Sequence, residues 1–336
     1  LRLNTTADGE PFAETAPDVS SYFVSDLPGG QVVALIARAR GKVVWSESVA
    51  LVDGGTTLVL CVPEPDATAT LYADFRYAER GRGIEGVTFV EVERNLLASI
   101  GALLAGRRIL FEEAQLPYAG YRALAEAGVE AVPTGGLMES LRAVKDEAEI
   151  AIMRRAGALS DVIFEALSKE RFSGRTEREL VWWVERSFRE AGADGVSFPT
   201  IVAAGETATS PHAEPSDRVI DDGVLVVVDA GCVVDGYCSD CTRTFGVGET
   251  PTRLQEIYAL CLEAQLAGLA AVGPGVHGRD IDAAARNVIG AAGLSDAFGH
   301  GLGHGVGLQV HEAPVLRPES TDTLEPGNVV SVEPGI

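Results

Sequence analysis

Apolar runs of two different spacings alternate along the N-terminal part of the chain. The segment VVALIARARGKVVWSESVALV predicts two strands joined by a turn at Gly41. Residues 69–80 predict a strand followed by a helix, and residues 95–106 have the apolar spacing of a helix that ends at Gly106. Residues 107–133 then predict a strand, a helix and a strand. This alternation of strands and helices indicates an α/β domain.

The spacing changes to that of long amphipathic helices in the middle of the chain. Residues 137–167 predict one helix, with apolar side chains at helical intervals and charged side chains between them. A second helix is expected over TERELVWWVERSFREAG, where Thr176 and Glu179 form a capping-box pattern. Its two tryptophans, Trp182 and Trp183, are expected to pack in the core.

Length, charge and cysteine usage narrow the class of protein. The chain has 336 residues, which favours two domains, and we place them at residues 1–135 and 136–336 of an α/β (α+β) fold. A formal net charge of −22 repels phosphate groups, so no nucleic-acid partner is expected. No apolar stretch is long enough for a membrane span, so no membrane partner is expected either. Five sparse cysteines indicate reduced thiols and a cytoplasmic location.

The segment VLVVVDAGCVVDGYCSDCTRTF predicts a hairpin that brings two aspartates together. Asp235-Gly236 is a signal for a type I′ turn, and this turn fixes a register in which Thr242 lies opposite Asp229. Asp240 then lies diagonally across from Asp229 on the same face, about 7–8 Å away between Cα atoms. Two divalent cations about 3.5–4 Å apart would neutralise both carboxylates. The alternative is that Asp229 ends a strand and Asp240 caps a turn at the surface.

Three of the five histidines, His300, His304 and His311, fall in the glycine-rich segment GHGLGHGVGLQVHE. Its glycines exclude a stable helix and indicate a strand and turn whose backbone approaches a ligand closely. The segment NVVSVEPGI predicts a strand that delivers Glu333, and an upstream loop carries His212. Carboxylates and imidazoles from separate strands and loops are therefore available to one site. Oxygen-rich donors with one histidine suit Mn²⁺, Co²⁺ or Zn²⁺.

Several separated motifs of this chain are similar to those of one known family. They are DFRY at 74–77, LRAVKDEAEI at 141–150, PHAEP at 211–215, VDAG at 228–231, SDCTRTF at 239–245, HGLGHGVGLQVHE at 300–312 and VEPG at 332–335. With them the chain resembles the pita-bread metallopeptidases and, within these, the branch of Xaa-Pro aminopeptidase and Xaa-Pro dipeptidase (prolidase). The likeness covers the chain from residue 69 onward, whereas residues 1–65 match the family poorly.

This resemblance implies a fold and a metal site. The expected architecture is an N-terminal creatinase/prolidase-like α/β domain followed by a pita-bread catalytic domain. The expected cofactor is a pair of divalent metal ions, Mn²⁺ before Co²⁺ or Zn²⁺, with Asp240 as the bridging ligand. One further glutamate ligand is expected on a strand that follows Ile336. The ligand positions within this sequence are Asp229, Asp240, His304 and Glu333.

The resemblance also implies a reaction, the hydrolysis of Xaa-Pro peptide bonds by a hydroxide that two metal ions activate. Glu333 would relay a proton from this nucleophile, and His311 would stabilise the developing oxyanion. His212 and His300 would line the substrate pocket and assist proton transfer to the leaving proline nitrogen. The expected substrates are small peptides with proline at the second position, cleaved by an aminopeptidase or by a dipeptidase. We expect the protein to be a homodimer.

Three other functions share parts of this architecture. A creatinase-like amidinohydrolase works without metal, whereas this chain keeps the metal-ligand residues. A methionine aminopeptidase shares the catalytic fold, but it lacks an N-terminal domain of this size and a histidine at the position of His300. A pita-bread pseudoenzyme that binds partners usually has broken ligand positions. The ligand set therefore favours the metallopeptidase over these alternatives.

Overall fold

The computed structural model of the chain divides into two compact units, Leu1–Leu141 and Arg142–Ile336. Side chains are described for residues 70–84 and 88–336. The domain boundary between residues 135 and 136 stays a prediction. The backbone is described for residues 22–24, 32–39, 42–50, 58–61, 69–84 and 87–336.

A mixed sheet forms the centre of the N-terminal unit. The strands of this unit are β1 (Tyr22–Val24), β2 (Val32–Ala39), β3 (Lys42–Ala50), β4 (Leu58–Cys61), β5 (Ala69–Ala73), β6 (Val87–Glu91), β7 (Arg108–Phe111) and β8 (Glu130–Pro133). Six of them pair in the order β6-β5-β4-β1-β7-β8. The remaining two, β2 and β3, form the antiparallel pair that the apolar pattern predicts, and Gly41 between them lies outside the described residues.

The helices of this unit pack their apolar faces on the sheet. Ile100 and Leu124 are fully buried and share one core with Ile109 and Phe111 of β7. Strand and helix alternate as the sequence predicts, because each amphipathic helix needs a sheet face to cover its apolar side. The helices are α1 (Ala78–Arg82), α2 (Leu96–Leu103) and α3 (Tyr118–Glu126).

The C-terminal unit combines small antiparallel sheets. Its strands are β9 (Gly195–Val196), β10 (Ile201–Ala204), β11 (Val224–Ala230), β12 (Cys232–Val234), β13 (Tyr237–Cys238), β14 (Cys241–Val247), β15 (Gly303–Gly305) and β16 (Glu312–Leu316). They form the sheets β10-β11-β14, β13-β12-β9 and β15-β16. One bent hairpin runs through the first two sheets. Its first arm is β11 and β12, its second arm is β13 and β14, and it turns at Asp235-Gly236.

Two separate cores hold the helices of the C-terminal unit against these strands. One core joins Leu167, Phe188 and Val226, and the other joins Ile281, Leu302 and Leu316. None of the helices among the described residues combines the length and apolarity needed to cross a membrane. The helices of this unit are α5 (Glu147–Leu167), α6 (Glu177–Glu190), α7 (Thr252–Ala271) and α8 (Gly278–Ala291), and the short helix α4 (Leu137–Ala143) includes the boundary between the two units.

The predicted register of the hairpin is confirmed. Asp229 pairs with Thr242, and the backbone φ angles of Asp235 (46°) and Gly236 (83°) are both positive, as a type I′ turn requires. Gly231 marks the bend between the two sheets, because a Cβ on this residue would lie 1.9 Å from the carbonyl oxygen of Ser239. Only glycine permits this close approach of the two strands.

Three local predictions are wrong. Residues 137–167 form two helices instead of one, since Asp146 caps α5 and its partner Glu149 completes a capping box. Trp182 is 66% exposed, although Trp183 packs against the core as predicted. The segment 328–336 is no regular strand, and one isolated bridge, between Gly305 and Val330, pairs it with β15.

Candidate metal centre

Two strands of the hairpin deliver the aspartates Asp229 and Asp240 to one site. Asp229 lies near the end of β11, where its Oδ1 accepts a hydrogen bond of 2.8 Å from the hydroxyl of Thr242. Asp240 lies between β13 and β14, and the preceding carbonyl of Ser239 is held by the hydroxyl of Ser197 at 2.7 Å. The side chain of Asp240 is 7% exposed. Both carboxylates are therefore fixed by the pairing of the hairpin.

His304 lies on β15 with its ring between carboxylates. Its Nδ1 is 3.0 Å from the carbonyl oxygen of Gly305, which can only accept, so Nδ1 carries a proton. Its Nε2 is 3.5 Å from Oδ2 of Asp240 and 3.0 Å from Oε1 of Glu333. Metal-ligating histidines usually make a hydrogen bond with the ring nitrogen that does not bind the metal. In His304 the bond from Nδ1 to the carbonyl of Gly305 is of this kind, and it directs Nε2 toward the carboxylates.

Glu333 reaches the site from an extended segment that lies along β15. Its backbone N–H donates to the carbonyl of Leu302 at 2.8 Å, and the N–H of Ser331 donates to the carbonyl of His304 at 2.8 Å. The hydroxyl of Ser331 then donates to Oε1 of Glu333 at 2.7 Å. Backbone hydrogen bonds thus place Glu333 without a regular strand.

The other predicted histidines lie at different distances from these carboxylates. The ring of His311 stands edge-on to that of His304, with 4.2 Å between centroids. The ring of His300 packs edge-on to Phe298 at 5.0 Å, and a Cβ on Gly335 would lie 2.8 Å from its Nε2. His212 is exposed on its loop. Burial raises the pKa of Asp229, which the charge of His212 opposes, and burial lowers the pKa of His311, to which that charge adds.

The pKa shifts show that the carboxylates of this site lack the positive charge that would balance them. Burial and the charges of Asp229 and Glu333 raise the pKa of Asp240 to about 7. Burial also raises the pKa of Asp229, against the opposing hydrogen bond from Thr242. Burial alone would lower the pKa of His304, but its hydrogen bond with Glu333 and the neighbouring carboxylates raise it. Carboxylates crowded in this way are stabilised by cations.

The donor set fits divalent metal ions. Ligand atoms of Asp240, His304 and His311 lie within 4.8 Å of one another. Oε1 of Glu333 lies 3.0 Å from Nε2 of His304, and Asp229 lies on the same hairpin as Asp240, so both are available to the same site. Carboxylates with imidazole suit first-row divalent ions. All of these residues are predicted from the sequence, although His311 is expected to stabilise the oxyanion and not to be a metal ligand.

An ion pair that the sequence reasoning missed, between a buried aspartate and a partly exposed arginine, orders the histidine segment. Asp282 and Arg286 lie one turn apart on α8, and the guanidinium donates to the carbonyls of Phe298 and His300 at 2.7 Å each. Oδ1 of Asp282 also accepts the N–H of Leu302 at 3.1 Å. The i,i+4 spacing of these charges was the available signal, but it is common on exposed helices.

A second missed pair includes Glu312, the residue that follows His311. Lys145 and Glu312 form an ion pair whose side chains are 1% and 6% exposed. The ammonium group also donates to the carbonyl of Ala143 at 3.3 Å, and Glu312 accepts the N–H of Gln309 at 3.4 Å. The pair therefore fixes the turn that precedes β16 and carries His311.

Comparison with known families agrees with this geometry. Residues 151–336 match metallopeptidase family M24, and residues 46–144 match the creatinase/prolidase N-terminal domain. The chain belongs to metallopeptidase family M24. The expected order, a creatinase/prolidase-like domain before the catalytic domain, is thereby confirmed, and the enzyme is a hydrolase of the metallopeptidase type. The poor match expected for residues 1–65 is wrong in part, because the N-terminal domain match begins at residue 46.

Individual proteins that are similar to this one cover most of the chain. The peptidase YqhT of Bacillus subtilis is 37% identical over 274 residues, which are 80% of this chain and 78% of that protein. An Xaa-Pro dipeptidase from Bacillus anthracis superposes with a TM-score of 0.80 at 33% identity, over 95% of this chain and 87% of that one. An X-Pro aminopeptidase from Thermotoga maritima gives a TM-score of 0.75 at 31% identity, over 84% and 81%.

Proposed function

We propose that this M24 protein is a metal-dependent exopeptidase that hydrolyses Xaa-Pro bonds. The observation that carries the proposal is the convergence of Asp240 and Glu333 on Nε2 of His304, with Asp229 on the same hairpin as Asp240. The similar structures from Bacillus anthracis and Thermotoga maritima are an Xaa-Pro dipeptidase and an X-Pro aminopeptidase. They support a substrate with proline at the second position and leave the choice between dipeptides and longer peptides to experiment.

The proposed cofactor is a pair of divalent ions, with Mn²⁺ before Co²⁺ or Zn²⁺. Bound between the carboxylates, such ions polarise the scissile carbonyl and lower the pKa of a water molecule. The residues that would hold them are Asp229, Asp240, His304 and Glu333.

The chain's own side chains supply the remaining steps. Glu333 would accept the proton of the attacking water, since its Oε1 faces the site and is oriented by Ser331. Burial and the charge of His304 lower the pKa of His311, so a neutral ring with one N–H is available to the oxyanion. His300 and His212 would contact the substrate and pass a proton to the proline nitrogen, which has no hydrogen of its own in the peptide.

Chelation tests this proposal directly. The purified protein should hydrolyse an Xaa-Pro dipeptide or an N-terminal Xaa-Pro bond, and exhaustive chelation should reduce the rate at least about 100-fold, because several kcal/mol of charge stabilisation are lost. Added Mn²⁺ should restore the rate. The matched control is an Xaa-Ala peptide of the same length, which should be cleaved poorly. Unchanged activity after chelation would contradict a metal mechanism.

The histidines should fail in different ways. His304→Ala should lose metal, so excess Mn²⁺ should restore part of its activity. His311→Ala should retain metal and lose turnover by roughly 10²–10³-fold, the scale of one oxyanion donor. His300→Ala should retain metal and bind substrate less tightly. Metal content and steady-state kinetics of the three variants check this, and loss of metal in His311→Ala would make that residue a ligand instead.

We further propose a homodimer in the cytoplasm. Cys232, Cys238, Cys241 and Cys261 are free thiols, which supports a reducing compartment. Sedimentation equilibrium of the purified protein tests the dimer, and a mass of one chain at micromolar concentration would contradict it.

A further inference from the structure

Glu177, a buried carboxylate outside the metal site, holds both ends of the loop that carries His212. Its Oε1 accepts hydrogen bonds from the N–H of Ala204 at 2.9 Å and the hydroxyl of Thr207 at 3.0 Å. Its Oε2 accepts from the N–H and the hydroxyl of Ser216 at 2.9 and 2.7 Å. Glu177 is 0% exposed. One side chain thus connects residues that are twelve positions apart in the sequence.

These hydrogen bonds keep the carboxylate ionised. Burial alone would raise the pKa of Glu177, but the bonds from Ser216, Ala204 and Thr207 together lower it below its ordinary value. Hydrogen bonds to an ionised acceptor are stronger than bonds between neutral groups. The negative charge of Glu177 therefore strengthens the closure of the loop.

Besides Glu177, the N–H of Arg178 holds the end of the loop by donating to the carbonyl of Ser216 at 3.3 Å, and the described hydrogen bonds inside the loop are short-range. The N–H of Ser210 donates to the carbonyl of Thr207 at 3.1 Å, and the N–H of Ala213 donates to that of Ser210 at 3.2 Å. Residues 210–212 are exposed. Local turns of this kind shape the loop, but they do not attach it to the rest of the unit.

The loop also follows a strand of the sheet that carries Asp229. In this strand, β10, the first residue Ile201 pairs with Asp229 on β11, and Ala204 at the start of the loop pairs with Val226. The charge of His212 acts on Asp229 and His311, so its ring lies within electrostatic range of both. A change in the position of this loop would therefore move His212 relative to the site.

We propose that Glu177 is a positioning residue that fixes the His212 loop and thereby sets the affinity for the peptide substrate. The identity of the substrate rests on the proposed function, whereas the attachment of the loop by Glu177 is independent of it. Closing a loop at its base removes conformational freedom that substrate binding would otherwise have to remove. Loss of this closure weakens substrate binding and leaves the metal ligands in place.

Glu177→Gln tests the proposal with little change of shape. An amide at this position must direct its own N–H₂ toward groups that donate, so one end of the loop loses its acceptor. We expect KM for an Xaa-Pro peptide to rise about 10-fold, the scale of one or two lost hydrogen bonds to a charged group, and kcat to fall by less, about 3-fold, because the loop also carries the proposed proton donor His212. Thr207→Val removes a single donor and should shift KM in the same direction by less.

The matched control is Glu179→Gln on the same helix. The carboxylate of Glu179 accepts the N–H of Thr176 at 2.7 Å and makes no hydrogen bond with the loop. The substitution Glu179→Gln should therefore leave KM unchanged. Hydrogen–deuterium exchange supplies a measurement that needs no activity: peptides spanning 204–216 should exchange faster in Glu177→Gln and at the parent rate in Glu179→Gln.

A double variant separates positioning from general destabilisation. If Glu177 acts through His212, adding Glu177→Gln to His212→Ala should raise KM no further. Additive effects, or unchanged exchange over 204–216 in Glu177→Gln, would overturn the proposal. Faster exchange in a protein that cleaves no Xaa-Pro peptide would refute the proposed function and leave the attachment of the loop standing.

Discussion

Asp240→Asn is expected to lose the bound metal and to reduce peptidase activity by at least about 10³-fold, because several kcal/mol of transition-state stabilisation depend on that charge. Asp240 faces His304 and acts together with Asp229 and Glu333, so its carboxylate is central to the charge of the site. Elemental analysis after purification in Mn²⁺ and steady-state kinetics measure the two losses.

The same substitution at Asp235 is the matched control. Asp235 lies five residues earlier on the same hairpin, where it shapes the turn and pairs with Arg155 in an exposed ion pair. Asparagine tolerates its positive φ, whereas alanine would add backbone strain. Asp235→Asn should keep metal and activity, since an exposed ion pair contributes little. Equal metal loss in both variants would mean that the hairpin, and not the charge of Asp240, determines metal binding.

The metal-free protein provides a second test of the same charge. Without cations, Asp240 faces two other carboxylates. Replacing its carboxylate by the neutral amide of asparagine should therefore relieve repulsion and stabilise the chelated protein. The melting temperature of chelated Asp240→Asn should rise by about 2–4 °C for each kcal/mol relieved. A lower melting temperature than that of the chelated parent would contradict the crowding of charge at this site.

The parts of the structure that depend on short-range rules could be predicted from the sequence. The register that pairs Asp229 with Thr242 follows from one turn, because Asp235-Gly236 sets the two strands on either side of it. The helix boundary at Thr176 follows from its capping box with Glu179 in the same way. Both predictions use residues that are neighbours in the chain as well as in the fold.

The wrong predictions have identifiable physical causes. Apolar spacing continues across Asp146, so periodicity alone hides the break between α4 and α5. On α6, Leu180 and Val184 define the buried face, and Trp182 is two positions, about 200°, away from Leu180. Two adjacent tryptophans cannot both face one core, so Trp183 packs and Trp182 stays exposed.

Long-range pairs could not be predicted in this way. Lys145 and Glu312 are 167 residues apart, and no local pattern marks either as buried. The four acceptor bonds of Glu177 join three segments, and their donors include two backbone N–H groups that every residue type offers. Sequence identifies the side chains of the metal site by type and order, whereas the residues that hold them become visible only in three dimensions.

Lys145→Met is expected to lower the free energy of unfolding by about 3–5 kcal/mol, the cost of leaving one member of a buried ion pair without its partner. Methionine fills similar volume, so the loss of charge dominates the effect. Glu312 would then remain buried with the N–H of Gln309 at 3.4 Å as its remaining donor among the described hydrogen bonds. Urea unfolding of the chelated protein measures the change without a contribution from metal binding.

Lys169→Met is the control for this substitution, because the pair of Lys169 with Glu165 is exposed by 71% and 73% and should change stability by less than about 1 kcal/mol. The double variant Lys145→Met/Glu312→Gln removes both buried charges, so it should be more stable than Lys145→Met alone. Because Glu312 follows His311, Lys145→Met should also lower kcat while its metal content stays near that of the parent. Equal destabilisation by Lys145→Met and Lys169→Met would refute the role of the buried pair, and a double variant less stable than either single variant would show that the two charges do not act on each other.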